Sequence, residues 1–192
     1  MPAPRIDPGE LGELVAEVLA EHQTIDAIVP AALAGLEARF PGAINPQPRW
    51  IFSKAGGLLG TMMLAHASLG EYIMLFGCPC GSEGFSGRHR PQLWDFVLTG
   101  ELWTNAADEL RAQRHAPGDC SYLAPGRANH SRLAPGTFLL EYARGPISTM
   151  LPFGLLEVAT STLDLTALRW TLSDYTRCVT RSLWLELRGR AR

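Results

Sequence analysis

Two apolar segments of this chain each contain a single acidic residue. Asp95 lies within residues 92–98, and Glu141 lies within residues 137–143. An ionised carboxylate is costly to bury, so we expect each acid to be protonated, paired or sharing a proton. A carboxyl group kept partly neutral in apolar surroundings suits proton transfer to an apolar substrate. The alternative is that each acid lies at a strand end and faces solvent, without a catalytic role.

The cysteines and histidines form no recognisable metal or disulfide pattern. Cys78 and Cys80 are separated by one residue, which is too close for an ordinary disulfide, and no second pair is spaced for zinc. The other two, Cys120 and Cys178, stand far apart in the sequence. We therefore expect reduced thiols, a cytoplasmic location, and neither a metal nor another cofactor.

The composition indicates one globular domain that does not bind nucleic acid. The chain has 192 residues, of which 46% are hydrophobic and 19% charged, enough for one sizeable core but cramped for two domains. Its formal net charge of −2 provides no strongly basic surface. Apolar stretches end well short of the ~20 residues that cross a bilayer, and residues 1–10 lack a signal-peptide pattern. The arginines near the C-terminus suit either a helix C-terminus or an anionic membrane surface.

Helical patterns begin the chain. Asp7 and Pro8 suit the start of a helix over residues 9–22. Thr24 suits the start of a second helix, which we expect Pro30 to bend or interrupt.

The middle of the chain has a different pattern. From residue 49 to 145, short strand-like runs alternate with turn signals, which predicts an antiparallel sheet closed into a barrel or sandwich. The Ala-Pro-Gly triplets at 124–126 and 134–136 predict successive hairpin turns. Helical spacing returns at 148–160 and again from near Asp164. The predicted organisation, within one integrated domain, is an N-terminal helical region with a linker (1–48), a barrel (49–146) and C-terminal helices (147–192).

Seven segments occur in an order and spacing typical of one known family. They are residues 55–57 (Ala-Gly-Gly), 64–72 (Leu-Ala-His-Ala-Ser-Leu-Gly-Glu-Tyr), 75–77 (Leu-Phe-Gly), 84–89 (Gly-Phe-Ser-Gly-Arg-His), 141–145 (Glu-Tyr-Ala-Arg-Gly), 150–154 (Met-Leu-Pro-Phe-Gly) and 160–164 (Thr-Ser-Thr-Leu-Asp). Together they resemble the family of the fungal Δ8–Δ7 sterol isomerase and the sigma-one receptor, over roughly Trp50 to Leu187. The resemblance implies an α+β fold in which a cupin-like antiparallel β-barrel encloses an apolar ligand. Two C-terminal amphipathic helices would cover the mouth of that barrel.

The same resemblance has implications for location and assembly. Membrane members of the family carry an N-terminal transmembrane helix, and we expect this chain to lack it, because amphipathic helices stand in its place. The resemblance is compatible with peripheral contact between the C-terminal helices and a membrane. A homo-oligomer is expected, with a trimer as in the receptor as one option.

The family's ligand-facing residues correspond to positions of this sequence. Its two carboxylates correspond to Glu141 and Asp95, and its tyrosine to Tyr72. The resemblance implies that the glutamate meets a cationic amine of the ligand and that the aspartate shares a hydrogen bond with the glutamate. We expect Glu141 to be the main proton carrier and Asp95 its partner. The matched apolar positions, each of which could equally be ordinary core, are Met62, Leu64, Met74, Phe76, Leu93, Leu133, Ile147 and Leu151.

Other aromatic residues are open to two interpretations. Trp94, Phe96 and Phe138 would stabilise a cation if they faced inward, but neighbours on a strand alternate faces. Phe85 departs from the family pattern, because the fungal enzymes carry a histidine there. If that histidine takes part in proton transfer, the phenylalanine argues against sterol isomerisation by this chain.

Three functions are compatible with these residues. The first is an isomerase that shifts a double bond in a sterol or terpenoid-like substrate by protonation and deprotonation through a carbocation. The second is a cyclase that starts terpenoid cyclisation from a protonated alkene. The third is a binder of hydrophobic amines or sterols without turnover, like the sigma-one receptor. Each takes a hydrophobic small molecule as its partner.

Overall fold

The computed structural model describes residues 6–190, in which two helices precede ten strands and two further helices. The elements are α1 (Pro8–Glu21), α2 (Ile25–Arg39), β1 (Ile51–Ala55), β2 (Leu58–Ala67), β3 (Glu71–Cys78), β4 (Ser82–Phe85), β5 (Gln92–Thr99), β6 (Leu102–Ala106), β7 (Gln113–His115), β8 (Cys120–Leu123), β9 (Asn129–Leu133), β10 (Thr137–Arg144), α3 (Leu151–Glu157) and α4 (Leu165–Arg190). A 3₁₀ turn at Ile147–Thr149 precedes α3, and a π-helical turn at Val158–Thr162 follows it.

The N-terminal helices begin where the sequence predicts. The Asp7 carboxylate accepts a hydrogen bond from the Gly9 amide at 2.7 Å, which caps α1, and Pro8 is its first residue. Thr24 occupies the N-cap position of α2, although its side chain makes no capping hydrogen bond. Pro30 is exposed and does not interrupt α2, because its missing hydrogen bond lies on the solvent face.

The strands form two antiparallel sheets. The larger sheet has the order β1-β2-β3-β10-β5-β8, and the smaller has the order β4-β9-β6-β7. Apolar residues of both sheets pack together, including Phe76, Val97 and Leu139 from the larger sheet and Leu102 and Leu133 from the smaller. The fold is α+β as predicted, but the sheets face each other without closing into one barrel, because their edge strands do not pair.

The two faces of the larger sheet have different roles, because successive side chains on a strand point to opposite sides. On β10, Leu140 and Tyr142 pack against the core formed with α1 and α2. Leu139 and Glu141 point to the other side, into the space between the sheets. The helices therefore cover the outer face, and the inner face is free to line a ligand cavity.

The Ala-Pro-Gly triplets form turns but not hairpins, so that prediction was wrong. Gly126 and Gly136 have φ of 74° and 79°, the left-handed conformation that turns of this kind require. The strands on either side belong to different sheets, because β8 and β10 lie in the larger sheet and β9 in the smaller. Local turn chemistry predicts a reversal of the chain, whereas the packing of the two sheets decides which strand each segment pairs with.

The C-terminal helices cover one side of the space between the sheets. The helix predicted over 148–160 is divided into a 3₁₀ turn, α3 and a π-helical turn, and it ends where Leu163 adopts a left-handed φ of 53°. Asp164 accepts a hydrogen bond from the Ala167 amide at 2.9 Å and so caps α4. Within the described residues, no helix is both long and apolar enough to cross a membrane.

Polar contacts hold α4 against the sheets. Asp174, which is 1% exposed, receives two hydrogen bonds from Arg49, at 2.7 and 3.0 Å. The Arg49 guanidinium also lies 4.9 Å from the centre of the Trp170 ring. The Ser182 hydroxyl donates to the Ala67 carbonyl at 2.9 Å. The partly buried ion pair therefore joins α4 to the segment before β1.

We expect Arg49→Ala to lower the free energy of unfolding by about 2 kcal/mol, because Asp174 would keep a buried charge with only Arg177, 3.6 Å away, as a weaker partner. The loss is smaller than for a fully buried pair because the Arg49 side chain is 34% exposed. Urea denaturation at neutral pH measures it. Arg127→Ala is the control, since its ion pair with Asp108 is exposed; equal losses in the two variants would contradict the prediction.

Candidate active site

A cavity of about 210 Å³ lies between the two sheets and beneath α3 and α4. Its walls come from the inner faces of the strands and from the C-terminal segments, and they are mostly apolar. Each apolar position matched from the family lines this cavity: Met62, Leu64, Met74, Phe76, Leu93, Leu133, Ile147 and Leu151. Tyr72, Asp95 and Glu141 line it as well. The structure thus brings all the predicted site residues together, while their roles in binding or catalysis stay predictions.

The two acids are direct cross-strand neighbours. Asp95 on β5 lies opposite Glu141 on β10, and their side chains share a hydrogen bond. Tyr72 on β3 lies opposite Ala143, one diagonal step from Glu141, and its hydroxyl donates a hydrogen bond to Glu141 Oε1. Three adjacent strands of one sheet therefore hold the three polar groups on the same face.

The surroundings of the two acids determine which of them carries the proton before a substrate binds. Burial raises the pKa of Asp95 well above its usual value, and the charge of Glu141 raises it further. Burial also raises the pKa of Glu141, but hydrogen bonds from Tyr72 and Asp95 oppose that rise. Burial and the neighbouring Glu141 raise the pKa of Tyr72, so its hydroxyl stays protonated and available as a donor. The arrangement favours a protonated Asp95 that donates to an ionised Glu141.

Most of the other aromatic candidates face away from the cavity. Trp94 and Phe96 belong to the core beneath α1 and α2, where Trp94 stacks on Tyr142 at 5.4 Å between ring centres. Phe138 packs edge-on against Trp50 at 5.9 Å. Strand alternation explains this, because these residues are neighbours of inward-facing ones. Tyr72 is therefore the aromatic residue of the predicted set that lies beside the acid pair.

Phe85, where the family pattern has a histidine, also lines the cavity and is 45% exposed. His89 lies nearby in the chain and lines the same cavity, with its Nε2 3.0 Å from the Ser86 carbonyl oxygen. Burial lowers the pKa of His89, so it is mostly neutral at neutral pH. A neutral imidazole is therefore present in the cavity although the histidine position itself holds a phenylalanine.

Sequence reasoning missed the polar residues that α4 contributes to the cavity. Thr171, Asp174 and Tyr175 line it from one face of the helix, as their spacing of three and four residues allows. Thr171 is already bonded to the Ala167 carbonyl and Asp174 to Arg49, whereas the buried hydroxyl of Tyr175 has no hydrogen-bond partner among the described residues. From the sequence, this helix was predicted to begin near Asp164 but no site residue was assigned to it; the polar residues at this spacing were the available signal.

We expect Tyr175→Phe to raise the free energy of unfolding by about 1 kcal/mol, because it removes a buried hydroxyl that is not hydrogen-bonded. Tyr142→Phe is the matched control. Its hydroxyl lies 2.9 Å from the Ile6 carbonyl oxygen and 2.8 Å from Glu71, so the same change should cost about 1–3 kcal/mol. Thermal denaturation of both variants measures the two effects, and a lower melting temperature for Tyr175→Phe would contradict the first.

Among the described residues, no cluster of three or more histidine, cysteine, aspartate or glutamate side chains is arranged to hold a metal ion.

Residues 4–186 match the family model of the ERG2 and Sigma1 receptor like proteins. The chain belongs to this family. It is 37% identical to the C-8 sterol isomerase of Pyricularia oryzae over 82% of this chain and 73% of that protein. It is 33% identical to the sigma non-opioid intracellular receptor 1 of Gallus gallus over 85% of this chain and 75% of that protein. Relatives in the ERG2 and Sigma1 receptor like family therefore include both an enzyme and a receptor.

The structural comparison finds cupins. An alignment with an RmlC-like cupin from Shewanella frigidimarina covers 52% of the present chain and 85% of the cupin chain. The TM-score is 0.42 and the sequence identity is 20%.

Proposed function

We propose that this protein is a sterol isomerase that shifts a ring double bond by adding a proton at one carbon and removing one from another. The observation that carries the proposal is the hydrogen-bonded Asp95–Glu141 pair in a mostly apolar cavity. The C-8 sterol isomerases of Pyricularia oryzae and Gibberella zeae, at 37% and 34% identity, support the same reaction class. A sterol or a related terpenoid alkene is the substrate class that this cavity would accept.

The acid pair would supply both proton-transfer steps. Asp95, held neutral by burial, donates its proton to the alkene, which becomes a carbocation. Glu141, ionised and hydrogen-bonded by Tyr72, stabilises the cation and removes a proton from the neighbouring carbon. The proton then passes from Glu141 to Asp95, which restores the starting state, and it exchanges with solvent once the product has left the cavity. The hydrogen bonding thus favours Asp95 as the proton donor and Glu141 as the base. The expectation from the sequence had named Glu141 as the main proton carrier without assigning these two steps.

The walls of the cavity have their own part in this mechanism. A carbocation reacts with water, so the intermediate survives only where water is excluded. The apolar side chains Met74, Phe76 and Leu93 surround the acid pair on β3 and β5 and leave few polar groups to hold water. The ring of Tyr72 offers a face that attracts a cation.

Product analysis in heavy water tests the proposal. Incubation with a Δ8 sterol is expected to give the Δ7 isomer carrying one deuterium at the protonated carbon. A new product with an additional ring would instead support the cyclase. If neither product nor label appears with any sterol or terpenoid alkene tested, both enzymatic functions are contradicted.

A binding protein without turnover is the second candidate, and the receptor relative favours it. An ionised Glu141 beside a neutral Asp95 carries one negative charge in an apolar cavity, which suits a hydrophobic amine. Amine binding would occur with either function, so turnover in heavy water separates the two. Mass spectrometry of apolar molecules that co-purify with the protein would identify the ligand class directly.

Assembly and location are further proposals. Several apolar side chains of the C-terminal segments are exposed, including Leu156 at 58%, Leu163 at 69% and Leu165 at 69%, which supports contact with a lipid surface. Flotation with phosphatidylcholine and phosphatidylserine vesicles tests this, and failure to float would contradict it. A homo-oligomer such as a trimer, tested by light scattering, and a cytoplasmic location remain predictions.

A further inference from the structure

Asp95 has different neighbours on its two sides. On one side β10 provides Glu141, with which Asp95 shares a hydrogen bond. On the other side β8 provides Ser121, which lies directly opposite Asp95 in the register of the two strands. The proposed mechanism uses the first neighbour and gives no role to the second.

The strand register places Ser121 on the same face of the sheet as Asp95. Two residues along the same strands, Leu93 lies opposite Leu123, and both of these line the cavity. Side chains two residues apart on a strand share a face, so Ser121 and Asp95 point to the cavity side together. Ser121 is 6% exposed, so the residue is buried beside Asp95.

Within the part of the chain that the structure describes, Asp95 has no hydrogen-bond donor other than the acid with which it shares a proton. Asp95 Oδ1 is buried, and apart from the hydrogen bond shared with Glu141 no donor to it is found among the described residues. Directly opposed residues in an antiparallel pair have Cβ atoms about 4.5–5.5 Å apart, so rotation about the Ser121 Cα–Cβ bond brings its hydroxyl within reach of this oxygen. The contact that Cys120 makes with Ser121 is to the backbone oxygen, at 3.9 Å, which leaves the Ser121 hydroxyl available.

We propose that Ser121 is a positioning residue of the acid pair, whose hydroxyl donates a hydrogen bond to Asp95 Oδ1 and stabilises Asp95 once it has given up its proton. This inference rests on the proposed function and assigns a third polar group to the same site. No bond to Ser121 forms or breaks, and its proton stays on its own oxygen. Glu141 cannot donate to Asp95 until it has taken a proton from the substrate, so Ser121 supplies the donor in that interval.

The other titratable groups near Asp95 do not provide such a donor. Glu141 on β10 is the acceptor of the shared hydrogen bond, and the Tyr72 hydroxyl on β3 is directed at Glu141. Cys120 precedes Ser121 on β8 and so points to the opposite face. Its partial burial and the charge of Asp95 raise its pKa to about 11, so it remains a neutral thiol. His89, Asp174 and Tyr175 line the same cavity from other segments, and none of them donates a hydrogen bond to Asp95 Oδ1.

Carbon-13 NMR titration of the side-chain carboxyl groups tests the inference without a ligand. Asp95→Asn and Glu141→Gln variants assign the two signals. Loss of a hydrogen bond to the charged form raises the pKa of an acid, so we expect Ser121→Ala to raise the titration midpoint of the pair by about one pH unit. Ser121→Thr keeps the hydroxyl and suits a strand, so it should restore the wild-type midpoint. Ser182→Ala removes a buried serine on α4 that does not line the cavity, and should leave the midpoint unchanged.

The outcomes separate this inference from the proposed function. An unchanged midpoint in Ser121→Ala, or a raised midpoint in Ser121→Thr, overturns the role of Ser121 even if the protein isomerises a sterol. Equal shifts in Ser121→Ala and Ser182→Ala overturn it too, because they indicate a general effect of losing a buried serine. A shift confined to Ser121→Ala supports the role of Ser121 even if the heavy-water experiment yields no product, in which case only the enzymatic function fails.

Discussion

Replacing Asp95 with asparagine is expected to reduce turnover by about 1,000-fold or more, because it removes the proton that the reaction needs. The asparagine amide can still donate a hydrogen bond to Glu141, so the geometry of the pair is retained. The amide has no proton that it can transfer at neutral pH. The variant therefore keeps the hydrogen bond to Glu141 but loses the delivery of a proton to the substrate.

Two measurements make the Asp95→Asn prediction decisive. The rate of deuterium incorporation into the sterol product reports proton delivery, and thermal denaturation reports the fold. Asp108→Asn is the matched control, because this exposed aspartate lies outside the cavity and pairs with Arg127. An Asp95→Asn variant with wild-type turnover would contradict the shared-proton mechanism, and the retained melting temperature would exclude misfolding as the cause of a loss.

Replacing Glu141 with glutamine is expected to weaken the binding of a hydrophobic amine by about 100-fold to 1,000-fold, because a cation in the cavity would lose its negative partner. Glutamine has nearly the same shape, and its amide oxygen can still accept the hydrogen bond from Tyr72. Isothermal titration with N,N-dimethyldodecylamine measures the change. The matched control is Glu83→Gln, an exposed glutamate paired with His130 on the smaller sheet. Unchanged affinity in Glu141→Gln would remove Glu141 from the binding site.

The affinity for a hydrophobic amine is expected to fall as the pH is lowered. Amine binding needs the negative charge of Glu141, which is lost as the pH falls through the pKa of this carboxyl group. Burial raises that pKa, so affinity should decline at a higher pH than for a solvent-exposed glutamate. The same titration repeated at several acidic pH values, with the amine fully protonated throughout, measures the decline. An affinity that rises on acidification would contradict an ionised Glu141.

The predictions made from sequence were most successful where short-range chemistry decides the structure. The capping of α1 by Asp7 depends on residues adjacent in the chain, and it is present as predicted. The alternation of faces explains why Trp94 and Phe96, next to Asp95, point to the helices while Asp95 points to the cavity. The Pro-Gly turns are present, but their assignment to hairpins failed because pairing depends on distant strands.

The family resemblance predicted that Asp95 and Glu141 lie close together, and the structure shows the physical cause of this proximity. The register between β5 and β10 shifts at Phe138/Leu139, where β5 contains one extra residue. Without that irregularity, Glu141 would lie opposite Phe96 instead of Asp95. No local pattern in the sequence predicts a bulge at this point.

The sequence by itself determined which residues share a strand face, where the first helix is capped, and which two acids lie in apolar runs. These properties depend on neighbours within a few residues, and backbone geometry relates them directly to the residue pattern. Only the tertiary structure decided that β10 lies between β3 and β5, that Ser121 lies opposite Asp95, and that Asp174 and Tyr175 line the cavity. These depend on contacts between segments far apart in the chain, which form only where the whole core packs together.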